Sequence, residues 1–294
     1  MHATALRLLS AIRSRLGLPP LLIRQSILGR EMVVPYGCYR EKPDYDDAWR
    51  LACAMHSEII FDIGANVGQA ALTELLSDQP KMIVLVDANP EALAVAAQTL
   101  IRNNLSARAR FVTAFVGSES GKTTTFWTVG TGSAGSMYRG HAKTASKAGT
   151  SIEAPTITID DLCHLYQTIP DFIKIDVEGA EHLVLCGSNA CVQHRKTRFL
   201  VEMHSPPELP MSENAARVLQ WCADHRFTAW YLKEGTQLPS PALIAHRGRC
   251  HLLLQPLEWT YPEWLRNLRQ SDPLEHVWTE NAVSGLPFSR AEDV

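Results

Sequence analysis

From about residue 58 to residue 203, short apolar runs alternate with stretches of helical periodicity. A chain with that rhythm folds into a parallel sheet covered by helices, because each crossover between parallel strands needs a helix-length connection. The run IIFDI at 59–63 is followed by VGQAALTELLS at 67–77, which places Ala71, Leu72, Leu75 and Leu76 on one helical face. MIVLV at 82–86 ends on Asp87. Asn89 and Pro90 then supply an N-cap and a first-turn proline, so a helix starts there with Leu93, Ala97, Leu100 and Ile101 facing inward. A third strand over 109–116 completes a βαβαβ half. A hairpin arm follows at 123–129, then strands at 156–159, 171–176, 199–204, 227–232 and 250–254, with helices capped by Asp160, starting at 180 and covering 212–225. The main domain spans 58–255, an α/β fold with a mostly parallel, doubly wound sheet.

The flanks read differently. Residues 1–57 are a lead-in: an amphipathic helix ended by Pro19 and Pro20, then a linker. Arg13 and Arg15 break its apolar run, which argues against an export signal, so the helix docks on the domain or a partner, with membrane-surface contact as the lesser alternative. Residues 256–294 form a wrapping tail that carries Trp259, Trp264 and Trp278. Residues 130–151 hold five glycines and no acid, and read either as an inert insert or as a mobile loop over the site.

Composition removes several function classes. With 28 Lys and Arg against 31 Asp and Glu, the net charge of −3 gives no basic field for nucleic acid. The seven cysteines are scattered, with no C-x-x-C pair, and read as free thiols in a reducing cytoplasm. No apolar run reaches the roughly 18–20 residues that span a bilayer. GSESGKT at 117–123 ends like a phosphate-binding loop, but it is one residue short and precedes a β-rich run, so it is a polar turn.

The chemistry concentrates at strand ends. In Asp62-Ile63-Gly64-Ala65-Asn66-Val67-Gly68, Gly64 allows a sharp turn and Gly68 a close approach of helix and ligand. The G-x-G-x-x-G of pyrophosphate-binding loops is absent. A carboxylate at Asp62 repels a pyrophosphate but suits an ammonium or sulfonium, which points to S-adenosylmethionine. Asp87 ends the second strand, where an acid accepts hydrogen bonds from ribose hydroxyls, and Ala114 and Phe115 border the adenine.

FDIGANVG, VDANP, ITIDDL and above all DFIKIDVEGAEHLVLCG followed by FLVEMH resemble the FkbM family of S-adenosylmethionine-dependent methyltransferases, over residues 58–204. The resemblance implies a class I Rossmann-like methyltransferase fold and O-methylation of a hydroxyl on a sugar, glycan or natural product. It implies that the cofactor is held by the first-strand loop (Asp62, Gly64, Ala65, Asn66, Gly68) and by the second-strand end (Asp87, followed by Ala88). The family's usual acid in that second position is Glu, so this chain offers a shorter side chain.

Period-2 alternation puts Lys174 and Asp176 on one face, and likewise Glu202 and His204. Asp176, Glu178 and His204 are therefore the candidate catalytic residues, suited to removing a hydroxyl proton. Glu178 has a competing structural reading as a helix cap. A divalent metal on Asp176, Glu178 and His204 has no firm signature, and none is expected. His246 and His251 flank Cys250 on an apolar strand and read as structural. The alternative function is a non-catalytic adenosyl-ligand binder, or an inactive subunit of this fold.

Overall fold

A computed structural model of the chain describes residues 3–16, 18–40, 42–131 and 135–283. The lead-in holds α1 (Ala3–Arg15), a hairpin of β1 (Leu22–Ile27) and β2 (Arg30–Pro35), and α2 (Asp47–Met55). The first half of the domain runs β3 (Ile59–Ile63), α3 (Gln69–Glu74), β4 (Met82–Asp87), α4 (Pro90–Arg102) and β5 (Ala109–Thr113). An arm follows, built from β6 (Phe115–Val116), β7 (Thr123–Trp127), α5 (Lys143–Ala148) and β8 (Ser151–Ile157). The second half continues with α6 (Ile159–Tyr166), β9 (Phe172–Ile175), α7 (Glu181–Cys186), α8 (Asn189–His194), β10 (Arg198–Met203) and α9 (Met211–His225). It ends with β11 (Phe227–Tyr231), β12 (Thr236–Gln237), α10 (Pro241–Arg247), β13 (Cys250–Pro256), α11 (Glu263–Arg266) and α12 (Leu274–Val283).

Eight strands form one sheet in the order β12-β11-β13-β10-β9-β3-β4-β5. The β10, β9, β3, β4 and β5 neighbours are parallel, whereas β13 runs antiparallel to both β10 and β11. Strand order reverses between β3 and β9, which opens a crevice at their carboxyl ends, the place where doubly wound sheets bind ligands.

Side chains alternate between two cores. Ile60, Leu85, Phe172, Leu200 and Leu253 face α2, α3 and α4. Phe61, Val84, Ile173, Val201 and Leu252 face α6, α7 and α9. Trp49 on α2 is 1% exposed, so helix α2 is part of the first core, and each such side chain contributes about 1.5–3 kcal/mol by its burial. The tail packs on the same face: Leu265, Leu268, Leu274 and Val277 are buried there, and Trp264 stacks on His56 with centroids 4.2 Å apart. Residues 284–294 of the expected tail and 132–134 of the expected loop lie outside the described residues.

Several local expectations are corrected. The linker contains the β1–β2 hairpin and α2. The third strand breaks at Ala114, whose N–H donates to Asp87 O, and β6 leaves for a separate sheet with β8 and β7. Helix α6 is capped by Thr158, which accepts from Asp161 N–H, while the Asp160 carboxylate accepts from the first amides of α8. On α4, Ala96 is buried and Ile101 is exposed. His246 stands on α10, not on a strand. The 117–122 segment is a polar turn leading into β7. All seven cysteines are free thiols, and no described helix is long and apolar enough to cross a membrane.

Candidate functional site

The turn after β3 is forced by packing. Gly64 has φ +79°, and a Cβ there would lie 1.9 Å from the carbonyl oxygen of Asp176, so only glycine lets β3 and β9 close at the switch point. Gly68, also at positive φ, begins α3 with a Cβ position 2.7 Å from Ala96 Cβ, which makes it a packing glycine between α3 and α4. Asn66 turns through φ +48° and donates its N–H to Asp87 Oδ2 at 2.7 Å. Asn89 N–H donates to Asp87 Oδ1 at 2.7 Å. Burial pushes the Asp87 carboxyl up, offset in part by these two amides.

A cleft opens over these residues at the carboxyl ends of β3 and β4. Gly64, Asn66, Asp87, Ala88, Ala114 and Phe115 line it, as do Asp176 and Glu178 on the opposite side. Sequence reasoning missed Val116, Phe126 and Val177 in the wall. Phe126 comes from the arm and lies with its ring 6.5 Å from that of Phe115, so a flat apolar base finds two aromatic walls. Asp87 keeps acceptor capacity beyond its two amide bonds, since each carboxylate oxygen takes two. The residues present therefore fit an adenosine: hydroxyls on Asp87, a ring between apolar walls.

Three expected cofactor residues sit elsewhere. Ala65 and Gly68 do not line the cleft. Asp62 is 1% exposed and lies one layer below it, 3.2 Å from Lys174 Nζ. Alternation explains this: Asp62 shares the α2 face with Ile60, and its neighbour Ile63 reaches the cleft. Lys174 Nζ donates to Gly64 O at 2.7 Å and lies 3.5 Å from Asp176 Oδ2. Burial alone would lower this ammonium's pKa, but Asp62 and Asp176 hold it above its ordinary value.

The expected catalytic residues do converge. Glu178 adopts φ +53°, strained for a residue with a Cβ, and this turns its carboxylate into the site. It does not cap α7; Gly179 N–H donates instead to Glu181 Oε1 at 2.9 Å. His141 Nε2 lies 2.5 Å from Glu178 Oε2, an interaction across 37 positions that no local motif announces. Burial raises the Glu178 pKa, but the His141 hydrogen bond and the His204 charge outweigh it and hold the carboxyl below its usual range. Burial pushes Asp176 up to about 6. His204 is buried behind both, with Nε2 3.3 Å from Glu178 Oε2 and 3.8 Å from Asp176 Oδ1. Its burial would lower the pKa, yet Glu181, Asp176 and Glu178 carry it up to about 10. His251, buried on β13, has its Nε2 3.7 Å from Glu202 Oε2.

The glycine-rich stretch packs over this centre. Ser136 Oγ donates to Glu178 O at 2.9 Å, Gly140 N–H donates to Glu208 Oε1 at 2.7 Å, and Gly135 lines the cleft. Asn89 Nδ2 ties the start of this stretch down by donating to Thr128 Oγ1 and Gly130 O. Of the two readings of 130–151, the described residues favour the loop over the site.

Solved structures resemble this chain at low identity. Methyltransferase FkbM from Methylobacillus flagellatus KT is 18% identical with a TM-score of 0.40, covering 67% of this chain and 43% of that one, so less than half of that protein is spanned. An O-methyltransferase from Bacillus cereus in complex with SAH is 11% identical (TM-score 0.42; 86% and 90% covered). TYW2 of M. jannaschii in complex with AdoMet is 10% identical (TM-score 0.41; 80% and 85% covered). No curated protein gives a significant match. The family model for the methyltransferase FkbM domain matches residues 62–228, more than half of the chain, and the chain belongs to that family.

Proposed function

We propose that this protein is an S-adenosylmethionine-dependent O-methyltransferase acting on a hydroxyl of a sugar, glycan or natural product. The observation that carries this reading is the pairing, in one cleft, of a ribose-type acceptor at Asp87 with two carboxylates, Asp176 and Glu178, on the opposite wall. When bound, S-adenosylmethionine supplies an electrophilic sulfonium methyl, whose C–S bond breaks with both electrons left on sulfur as the acceptor oxygen takes the carbon. Asp87, Asn66 and the Phe115–Phe126 walls hold the adenosine. Glu178, at the cleft surface and steadied by His141, accepts the hydroxyl proton, and Asp176 and His204 orient the acceptor. Such positioning removes about 7–11 kcal/mol from a barrier, and a placed base adds about 10²–10⁴-fold.

The net charge of −3 supports a small or glycan-like acceptor over nucleic acid, and the free thiols support a reducing, cytoplasmic setting. A non-catalytic adenosyl binder has no use for the half-buried carboxylates of Asp176 and Glu178 in the cleft wall. The test is transfer of isotopically labelled methyl to a panel of sugars, glycans and polyketide alcohols, with the linkage determined on the product. Label on oxygen supports the reading; label on nitrogen or carbon alone overturns it.

A further inference from the structure

The cleft's β9 wall and the buried layer behind it carry more negative charge than their paired cations balance. Asp62, Asp176, Glu178, Glu181 and Glu202 converge on the ends of β3, β9 and β10, and the permanent cations paired with them are Lys174 and Arg249. At the centre stands His204, 3% exposed, whose Nε2 makes no hydrogen bond although Glu178 Oε2 lies 3.3 Å away; nor does Asp176 Oδ1 make one. His204 Nε2 is 3.6 Å from Glu202 Oε1 and 3.8 Å from Asp176 Oδ1, and the donor atoms of these three residues lie within 4.8 Å of one another. Two ligands each about 2.1 Å from one ion stand roughly 3–4 Å apart, so separations too long for hydrogen bonds match shared coordination.

The other side of the ring is fastened. His204 Nδ1 lies 2.9 Å from Glu181 Oε1, and the fully buried Glu181 is itself held by Asn214 Nδ2 at 2.7 Å. A carboxylate on Nδ1 holds a proton there, so Nε2, once a bound cation displaces its own proton to solvent, turns a lone pair into the cluster, as in histidines backed by carboxylates at metal sites.

We propose that Asp176, Glu202 and His204 bind one divalent cation beside the cleft, with Glu181 as the positioning residue behind His204. Two carboxylates and one imidazole suit Mn²⁺. Resting on the methyltransferase reading, the proposal gives the ion the task of polarising the acceptor hydroxyl, while Glu178 still takes the proton. A second trio, Asp46, Glu202 and His251, shares Glu202 and is the rival position.

The full chain, stripped with EDTA, is titrated with Mn²⁺ by electron paramagnetic resonance and calorimetry, and S-adenosylhomocysteine binding is measured separately. The expected result is one Mn²⁺ per chain, bound at least about tenfold more weakly in Glu202→Gln and His204→Ala and about 10–100-fold more weakly in Glu181→Gln. His251→Ala retains it. Each variant is credited only if it still binds S-adenosylhomocysteine, which shows that it has folded. No uptake of Mn²⁺, Mg²⁺ or Zn²⁺ by the wild type overturns the proposal and leaves a protonated His204 as the charge that balances the cluster. Loss in His251→Ala with retention in His204→Ala overturns the placement. Metal failure with intact S-adenosylhomocysteine binding leaves the methyltransferase reading standing; failure of both removes it.

Discussion

The two walls of the cleft are built on opposite principles. On the β3–β4 side, the polar groups that face the cleft are paired within the protein: the oxygens of Asp87 receive Asn66 and Asn89 amides, and Asn89 caps α4 with one end while tying down the arm with the other. On the β9–β10 side, Asp176 Oδ1 and His204 Nε2 are buried with no hydrogen bond. Burying polar groups in this way costs stability. The first wall is a finished receptor for a ligand of fixed shape; the second is a charged centre.

Substitutions that treat the walls alike would break this contrast. The largest effect is expected on the charged wall: Glu178→Gln should cut turnover by about 10²–10⁴-fold with S-adenosylhomocysteine affinity unchanged, read from single-turnover kinetics and calorimetry. A parallel loss of affinity would erase the distinction. At the hinge between the walls, Gly64→Ala forces a Cβ against Asp176 O at a positive φ, and should cost about 3–5 kcal/mol in chemical unfolding. Unchanged stability would mean that the two strand ends do not close as described. On the receptor wall, Asp87→Ala should weaken S-adenosylhomocysteine binding by about 10–100-fold, the worth of charged hydrogen bonds.

The last effect is on stability and lies beneath the cleft. Glu74 is 2% exposed, and burial, reinforced by the Asp62 charge, pushes its pKa up to about 8 from an ordinary 4.5. A carboxyl raised on folding contributes stability that is full below the ordinary value and is lost as pH rises through about 8. The melting temperature of the wild type should therefore fall from pH 5 to pH 8 relative to Glu74→Gln, and curves of identical slope would contradict the assignment.

Legibility followed locality. The β3 loop, Asp87 and the pairing of Asp176 with Glu178 lie in short contiguous segments whose spacing is itself the signal. The β1–β2 hairpin escaped because its turn is Leu28-Gly29, both at positive φ, and Leu is not a residue that announces such a turn. His141 escaped because it reaches Glu178 only through the fold of the arm. Asp62 was found but placed on the wrong layer, since the strand turns its side chain toward α2, where Lys174 meets it.

Calorimetric titration of the wild-type chain with S-adenosylhomocysteine bears most directly on the central claim, that this cleft receives an adenosyl cofactor. One site per chain, weakened in Asp87→Ala, is the predicted result. A wild type that shows no binding heat and no thermal stabilisation at millimolar ligand would contradict it.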